Sequence, residues 1–210
     1  MSNSHSLSPL LSAVGLFLVV AAICTAVVGI AYADMSYLGA LHHRSEASLV
    51  EIAQSVIMIG ISVAFFIAAA RHSGFRGGFI LAGGLFLTMF IRENDGWLDA
   101  IRQGFWLPVA LVAMAACLAA AWRYRASVRD GLLFLCDPRT ILLAAVAMAL
   151  LLVFSRLFGC KAIWNAAGVF QTHTAVKTIA EETLELLADA LLALWAILVF
   201  RLLPPARTRS

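Results

Sequence analysis

The sequence predicts an all-α polytopic membrane protein, a single bundle of six transmembrane helices with both termini in the cytoplasm. Its 210 residues are 62% hydrophobic and only 13% charged, and their mean hydropathy is +0.93. A soluble domain carries roughly a quarter of charged residues. Apolar segments of helical length recur along the chain, and none alternates with the period of two that barrel strands show.

Six segments are predicted to span the bilayer, since about 20 mostly apolar residues cross ~30 Å of hydrocarbon. They are joined by short connections within one domain, residues 1–210. We place them at approximately residues 9–32, 48–70, 78–98, 105–122, 140–158 and 178–203.

The first span resembles a signal peptide in one respect, because Ala31-Tyr32-Ala33 has the small-x-small form of a cleavage site. Its apolar core is longer than the usual stretch of roughly 7 to 15 residues, and no Lys or Arg precedes it. We therefore expect a retained helix. In the second span, Glu51 and Gln54 follow helical spacing, so their shared face should point into the bundle.

The third span is the least regular, because an apolar run from Gly78 to Ile91 continues directly into "RENDGWLD". Exposure of Arg92 and Glu93 to lipid would be costly. We expect both to point into the bundle and to find charged partners on other helices. Two alternatives stay open: the helix ends at the turn signal Asn94-Asp95-Gly96, or its glycines break it into a re-entrant segment rather than serving close packing.

The fourth and fifth spans are separated by "WRYRASVRDGLLFLCDPR", which predicts a short interfacial helix, and Arg156 closes the fifth. In the sixth, Lys177, Glu181, Glu185 and Asp189 recur every four residues and form a charged stripe. Asp189 lies about 12 Å along the helix from Glu181, which brings it towards the bilayer midplane.

The connections divide into a basic and an acidic face. One face collects nine arginines against two aspartates, and the other collects six basic against ten acidic residues. The positive-inside rule places the basic face and both termini in the cytoplasm of a plasma membrane, the inner membrane if the host is bacterial.

Charged residues from four helices should therefore meet at the acidic face. The simplest packing that keeps them from lipid is a polar chamber that binds a substrate or ion. An ion-pair network that only holds the helices together is the alternative. The predicted chamber residues are Glu51, Gln54, Arg92, Glu93, Arg156, Glu181, Glu182, Glu185 and Asp189.

No motif identifies a cofactor, which stays unknown. His42, His43 and His173 lie in outer loops, but adjacent histidines do not share a helix face and no H-E-x-x-H occurs, so we expect no metal. No nucleophile motif is present, and catalytic residues stay unknown. The expected partners are the lipid bilayer and either a membrane-protein partner or a second copy of the chain, and not nucleic acid.

Three functions remain open. A small cation- or proton-linked transporter would use the depth-ordered carboxylates of the sixth span. An accessory or assembly subunit of a membrane complex would use the charges only for helix association. A membrane-embedded enzyme acting on a lipid-linked substrate would use glutamates as acid and base beside an arginine that holds an anionic headgroup. The first is the leading hypothesis, because its residues can be named.

Overall fold

A computed structural model describes residues 8–38, 48–166 and 173–205, and every regular element in these ranges is helical. The helices, in chain order, are α1 Ser8–Ala33, α2 Leu49–Arg71, α3 Arg76–Glu93, α4 Asp95–Asp99, α5 Trp106–Arg123, α6 Val128–Leu135, α7 Ile141–Ala149, α8 Ser155–Phe158, α9 Lys161–Ala166 and α10 His173–Arg201. A π-helical turn, Asp34–Leu38, follows α1, and another, Leu150–Phe154, joins α7 to α8.

Five of these segments are long and apolar enough to cross a membrane. They are Leu11–Ser36, Leu49–Arg71, Trp106–Arg123, Ile141–Phe158 and Lys177–Arg201. Their bounds lie close to those predicted for the first, second, fourth, fifth and sixth spans. The protein is therefore a multi-span integral membrane protein whose helices contact the lipid bilayer.

The predicted third span differs from the others. It corresponds to α3, which carries Arg76 at its start and Arg92 and Glu93 at its end and is not among the five segments. The predicted end near residue 98 is wrong, because Asn94 leaves the helical conformation (φ −105°, ψ 27°) and α4 begins directly after it. The turn signal Asn94-Asp95-Gly96 therefore ends the helix before the length predicted from the apolar sequence is reached. The helix before this turn is continuous, so its glycines do not break it.

The core of the bundle is aromatic. Phe65 of α2 lies at its centre and contacts Phe79 and Phe86 of α3 and Trp195 and Phe200 of α10, with ring centroids 4.9 to 6.3 Å apart across the cluster. Aromatic pairs at such distances add to the stability that burial itself provides. These rings close the middle of the bundle and hold α2, α3 and α10 in place.

Glycines of α3 allow its neighbours to approach closely, as the packing interpretation predicted. A Cβ at Gly78 would lie 2.6 Å from the Gly131 backbone of α6, and one at Gly84 would lie 2.7 Å from Cys117 Cβ of α5. The Ser62 hydroxyl of α2 donates a 2.8 Å hydrogen bond to the Gly83 carbonyl. Small residues at helix contacts serve the same purpose in membrane bundles generally.

Candidate functional site

The charged stripe of α10 lies at the end of the bundle where α2 begins and α3 ends, called the acidic end below. Lys177 Nζ lies 3.2 Å from Glu181 Oε2, one helical turn away. Glu185 and Asp189 follow at the next two turns and are buried, with exposed fractions of 6% and 2%. The stripe thus runs from a partly exposed lysine to a fully buried aspartate.

Arg156 of α8 connects this stripe to the neighbouring helix. Its Nη1 lies 3.0 Å from Glu181 Oε1, and its Nη2 lies 2.9 Å from Glu185 Oε1. The Ser155 hydroxyl donates to the Leu151 carbonyl at 2.7 Å and lies 3.3 Å from the same Glu185 oxygen. One arginine therefore holds two carboxylates of α10, and a serine supports the deeper one.

Local backbone geometry presents these two groups. The π-helical turn Leu150–Phe154 ends directly before Ser155, and the extra residue of such a turn rotates the side chains that follow it. After α8, Gly159 leaves room for the carboxylate of Glu181, since a Cβ at this position would overlap the Glu181 side chain. Both features adapt the end of this span to the charged stripe.

Arg92 and Glu93 pair differently from the prediction. Arg92 Nη2 lies 3.3 Å from Glu93 Oε1, so the arginine forms its ion pair within its own helix, and 44% of its side chain is exposed. Within the described ranges neither residue has an ion-pair partner on another helix, and that part of the prediction is wrong. Both nevertheless interact electrostatically with Glu185 and Asp189 of α10, so they belong to the same cluster.

Asp189 and Gln54 are the most deeply placed polar groups of the predicted site, each 2% exposed. Among the described residues, Asp189 Oδ1 and Gln54 Nε2 have no hydrogen-bond partner, and neither does Trp195 Nε1 of the aromatic core. Buried polar atoms normally have a partner, because desolvation without one costs free energy. A water molecule that donates a hydrogen bond, a bound proton or a cation would satisfy the Asp189 oxygen.

Glu51 and Glu182 lie on another side of α10 from Arg156. Glu182 interacts electrostatically with Glu51 and with Asp34, which follows α1. Glu51 also has a local role that the sequence analysis missed: its Oε2 accepts from the Ser48 backbone N–H at 3.3 Å, and Ser48 caps α2 in return. The pattern Ser48-x-x-Glu51 is a capping-box signature that predicts this contact.

A cavity of about 390 Å³ lies between the start of α2 and the turn from α3 to α4. Glu51, Glu93 and Asp95 line it, and the Asn94 amide donates a 2.8 Å hydrogen bond to the Ser55 hydroxyl across it. The cavity is polar where the chain turns and is bordered by apolar side chains of α2. It brings Glu51 and Glu93 to one opening.

The structure thus brings most of the predicted chamber residues together at the acidic end. One connected group comprises Arg92, Glu93, Arg156, Glu181, Glu185 and Asp189. Glu51 and Glu182 form a second group beside it, whereas Gln54 is buried on α2 without a described bond to either. Among the described residues no His, Cys, Asp and Glu side chains are grouped so as to hold a metal ion, and His42 and His43 lie outside those residues.

Fold and site together define a multi-span integral membrane protein with a partly buried ion-pair cluster at one end of the bundle. Comparison with protein-family models, with curated proteins and with solved structures finds no match.

Proposed function

We propose that this chain is a small cation- or proton-linked transporter of the plasma membrane and that Asp189 is its central binding group. The observation that carries the proposal is that Asp189 is buried, has an unpartnered oxygen and stands at the inner end of a charged stripe. A carboxyl group at such a position can accept and release a proton or bind a cation. Ion pairing alone gives no reason for a carboxyl group at this position.

In the proposed topology α3 is a sixth span, so both termini lie on the same side of the membrane. Arginines end α2, α5 and α10 and begin α3, and the positive-inside rule makes this side cytoplasmic. The acidic end then faces outward. In a bacterial host this would be the periplasmic side of the inner membrane.

The proposed path begins at Lys177 and Glu181 and leads to Asp189. Arg156 holds Glu181 and Glu185, so those two are largely neutralised, whereas Asp189 has no ion-pair partner among the described residues. The incoming ion is therefore expected to rest at Asp189.

Beyond Asp189 the bundle is closed by Phe65, Phe86 and Trp195. In a transporter that alternates access, release inward would require these rings to separate. The interrupted helix at Leu150–Phe154 is a suitable hinge, because π-helical turns tolerate local rearrangement.

The proposal is tested by proton flux into proteoliposomes that contain an entrapped pH-sensitive dye, with the membrane potential clamped by valinomycin and K⁺. We expect Asp189→Asn to reduce the flux at least about tenfold, because the amide cannot take up a proton. Asp130→Asn is the matched control, since Asp130 is exposed at the opposite end. If no proton flux above that of empty liposomes occurs, gradients of Na⁺ and K⁺ are tested in the same way.

Two results would contradict the proposal: a folded Asp189→Asn variant that transports as fast as the unchanged protein, and a pure protein that carries none of the three ions. The second result would favour the accessory-subunit function instead.

A second candidate is an enzyme that acts on a lipid-linked substrate, and the 390 Å³ cavity favours it. Glu51 and Glu93 line this cavity, while Ile52, Val56 and Trp97 at its border are exposed and offer lateral access for a lipid chain. If this is the function, Glu93→Gln should abolish turnover while Asp189→Asn leaves it intact.

A further inference from the structure

A groove at the opposite end of the bundle, called the basic groove below, lies where α5 ends and α6 packs beside α3. It has a volume of about 580 Å³ and is almost entirely apolar apart from two arginines at its rim. Its principal lining residues are Leu118, Trp122, Arg125, Arg129, Leu132 and Leu133. It shares no residue with the charged cluster, so its function can be considered separately.

The walls of the groove are held in place by close backbone contacts. The Gly77 N–H of α3 donates a 2.9 Å hydrogen bond to the Ser127 hydroxyl, which in turn donates to the Tyr124 carbonyl at 2.9 Å. Gly131 of α6 contacts the Gly78 backbone so closely that neither position has room for a Cβ. This contact turns one side of α6 towards α3 and leaves Leu132 and Leu133 of the same helix exposed in the groove.

The two rim arginines have no acidic partner in the part of the chain that the structure describes. All four ion pairs among the described residues lie at the acidic end, and none includes Arg125 or Arg129. Arg125 instead lies over the ring of Trp122, 5.7 Å from its centroid, and the tryptophan is 72% exposed. Asp130 follows Arg129 directly, but its carboxylate is not within ion-pair distance of either rim arginine. Two uncompensated guanidinium groups therefore border an exposed apolar channel.

We propose that the basic groove binds an anionic phospholipid of the surrounding bilayer. The phosphate would lie between Arg125 and Arg129, because guanidinium groups bind phosphate oxygens in bidentate geometry. An acyl chain would cover Leu118, Leu132 and Leu133, and Trp122 would lie at headgroup depth, where tryptophan is favoured. Charge and shape agree on this occupant, since the ammonium group of a zwitterionic lipid would bring a further positive charge to two arginines that already lack an acidic partner, and basic pockets between helices bind anionic headgroups in general.

The test measures lipid retention by native mass spectrometry of the full-length protein in detergent, with phosphatidylglycerol and phosphatidylcholine of identical chains as probes. We expect phosphatidylglycerol to be retained preferentially, and Arg125→Gln/Arg129→Gln to weaken its binding about tenfold or more, from the loss of two charge contacts. Arg71→Gln/Arg139→Gln is the matched control, because it removes the same charge from exposed arginines outside the groove.

Three outcomes would overturn the proposal. Equal retention of phosphatidylcholine would show that the groove does not select charge. An equal loss in the control pair would show that overall basic charge, rather than the groove, attracts the lipid. Competition by soluble glycerol 3-phosphate as strong as that by phosphatidylglycerol would assign the arginines to a free anion. If the double variant fails to fold, the single variant Arg129→Gln is compared with Arg139→Gln in the same assay.

Discussion

Replacing Arg156 should destabilise the protein far more than replacing Arg92, although the two side chains are equally exposed at 44%. The difference lies in their partners. Arg156 binds two carboxylates at 2.9 and 3.0 Å, one of which belongs to the buried Glu185, whereas Arg92 binds only the adjacent Glu93 at 3.3 Å. The comparison of Arg156→Gln with Arg92→Gln therefore separates the effect of a buried partner from that of arginine exposure.

The expected magnitude follows from the burial of Glu185. A hydrogen bond to a charged group contributes about 1.5–3 kcal/mol, and the partial exposure of Arg156 favours the lower part of that range, about 2 kcal/mol. The pair between Arg92 and Glu93 resembles a surface ion pair, which contributes about 0–1 kcal/mol. For a chain of this length 1 kcal/mol corresponds to about 2–4 °C in Tm. We expect Arg156→Gln to lower the Tm by about 4–8 °C, and Arg92→Gln to lower it by at most about 4 °C.

The assay is thermal unfolding of the detergent-solubilised protein, followed by tryptophan fluorescence. The double variant Arg156→Gln/Glu185→Gln completes a mutant cycle: it removes the buried charge along with its partner, so the combined loss should be smaller than the sum of the single losses. Equal Tm shifts for Arg156→Gln and Arg92→Gln, or strictly additive losses in the cycle, would refute the assignment of Glu185 as the residue that makes Arg156 important.

Two further predictions concern backbone positions. Gly159→Ala should lower stability by about 1–3 kcal/mol, because the new methyl group displaces the Glu181 side chain, although the backbone at residue 159 suits alanine. Gly60→Ala is the control, since a Cβ at Gly60 meets no atom within 4 Å. Equal Tm values for the two variants would contradict the clash at Gly159. Ser48→Ala should cost about 1 kcal/mol through loss of the α2 cap and of the hydrogen bond that the hydroxyl donates to Asp34, and Ser48→Thr, which keeps the hydroxyl, should restore most of it. An unchanged Tm for Ser48→Ala would show that Glu51 does not need this cap.

The helices could be predicted from the sequence because membrane insertion imposes a simple rule on apolar length. The same rule failed for α3, where it extended the helix to residue 98, since it ignores the local preference of Asn94 and Gly96 for a turn. Eighteen residues give about 27 Å of helix, close to the thickness of the hydrocarbon layer. An 18-residue helix therefore already approaches that thickness where the chain turns at Asn94.

The charged stripe of α10 could also be predicted, because residues four apart share a helix face whatever surrounds them. The ion-pair partners of the charged residues could not be predicted, because depth in the membrane does not determine which helices are neighbours or which rotamer a long side chain adopts. Arg92 illustrates this: it lies in the cluster as expected but pairs with the adjacent Glu93. The π-helical turn before Ser155 could not be predicted either, because it lies in a wholly apolar stretch, Leu150–Phe154, that carries no residue typical of a helix irregularity.

The charged residues at the acidic end do not all support function equally. Arg156, Glu181 and Glu185 satisfy one another, so helix association is a sufficient reason for their presence. Asp189 and Gln54 each bury a polar atom that no described residue satisfies, which lowers stability and contributes nothing to packing that an apolar side chain would not provide. Groups that cost stability without an evident structural return are typical of functional sites. Asp189 is therefore the residue of the acidic end that helix association does not explain, and the ion pairs serve as the scaffold that holds α10 beside α8.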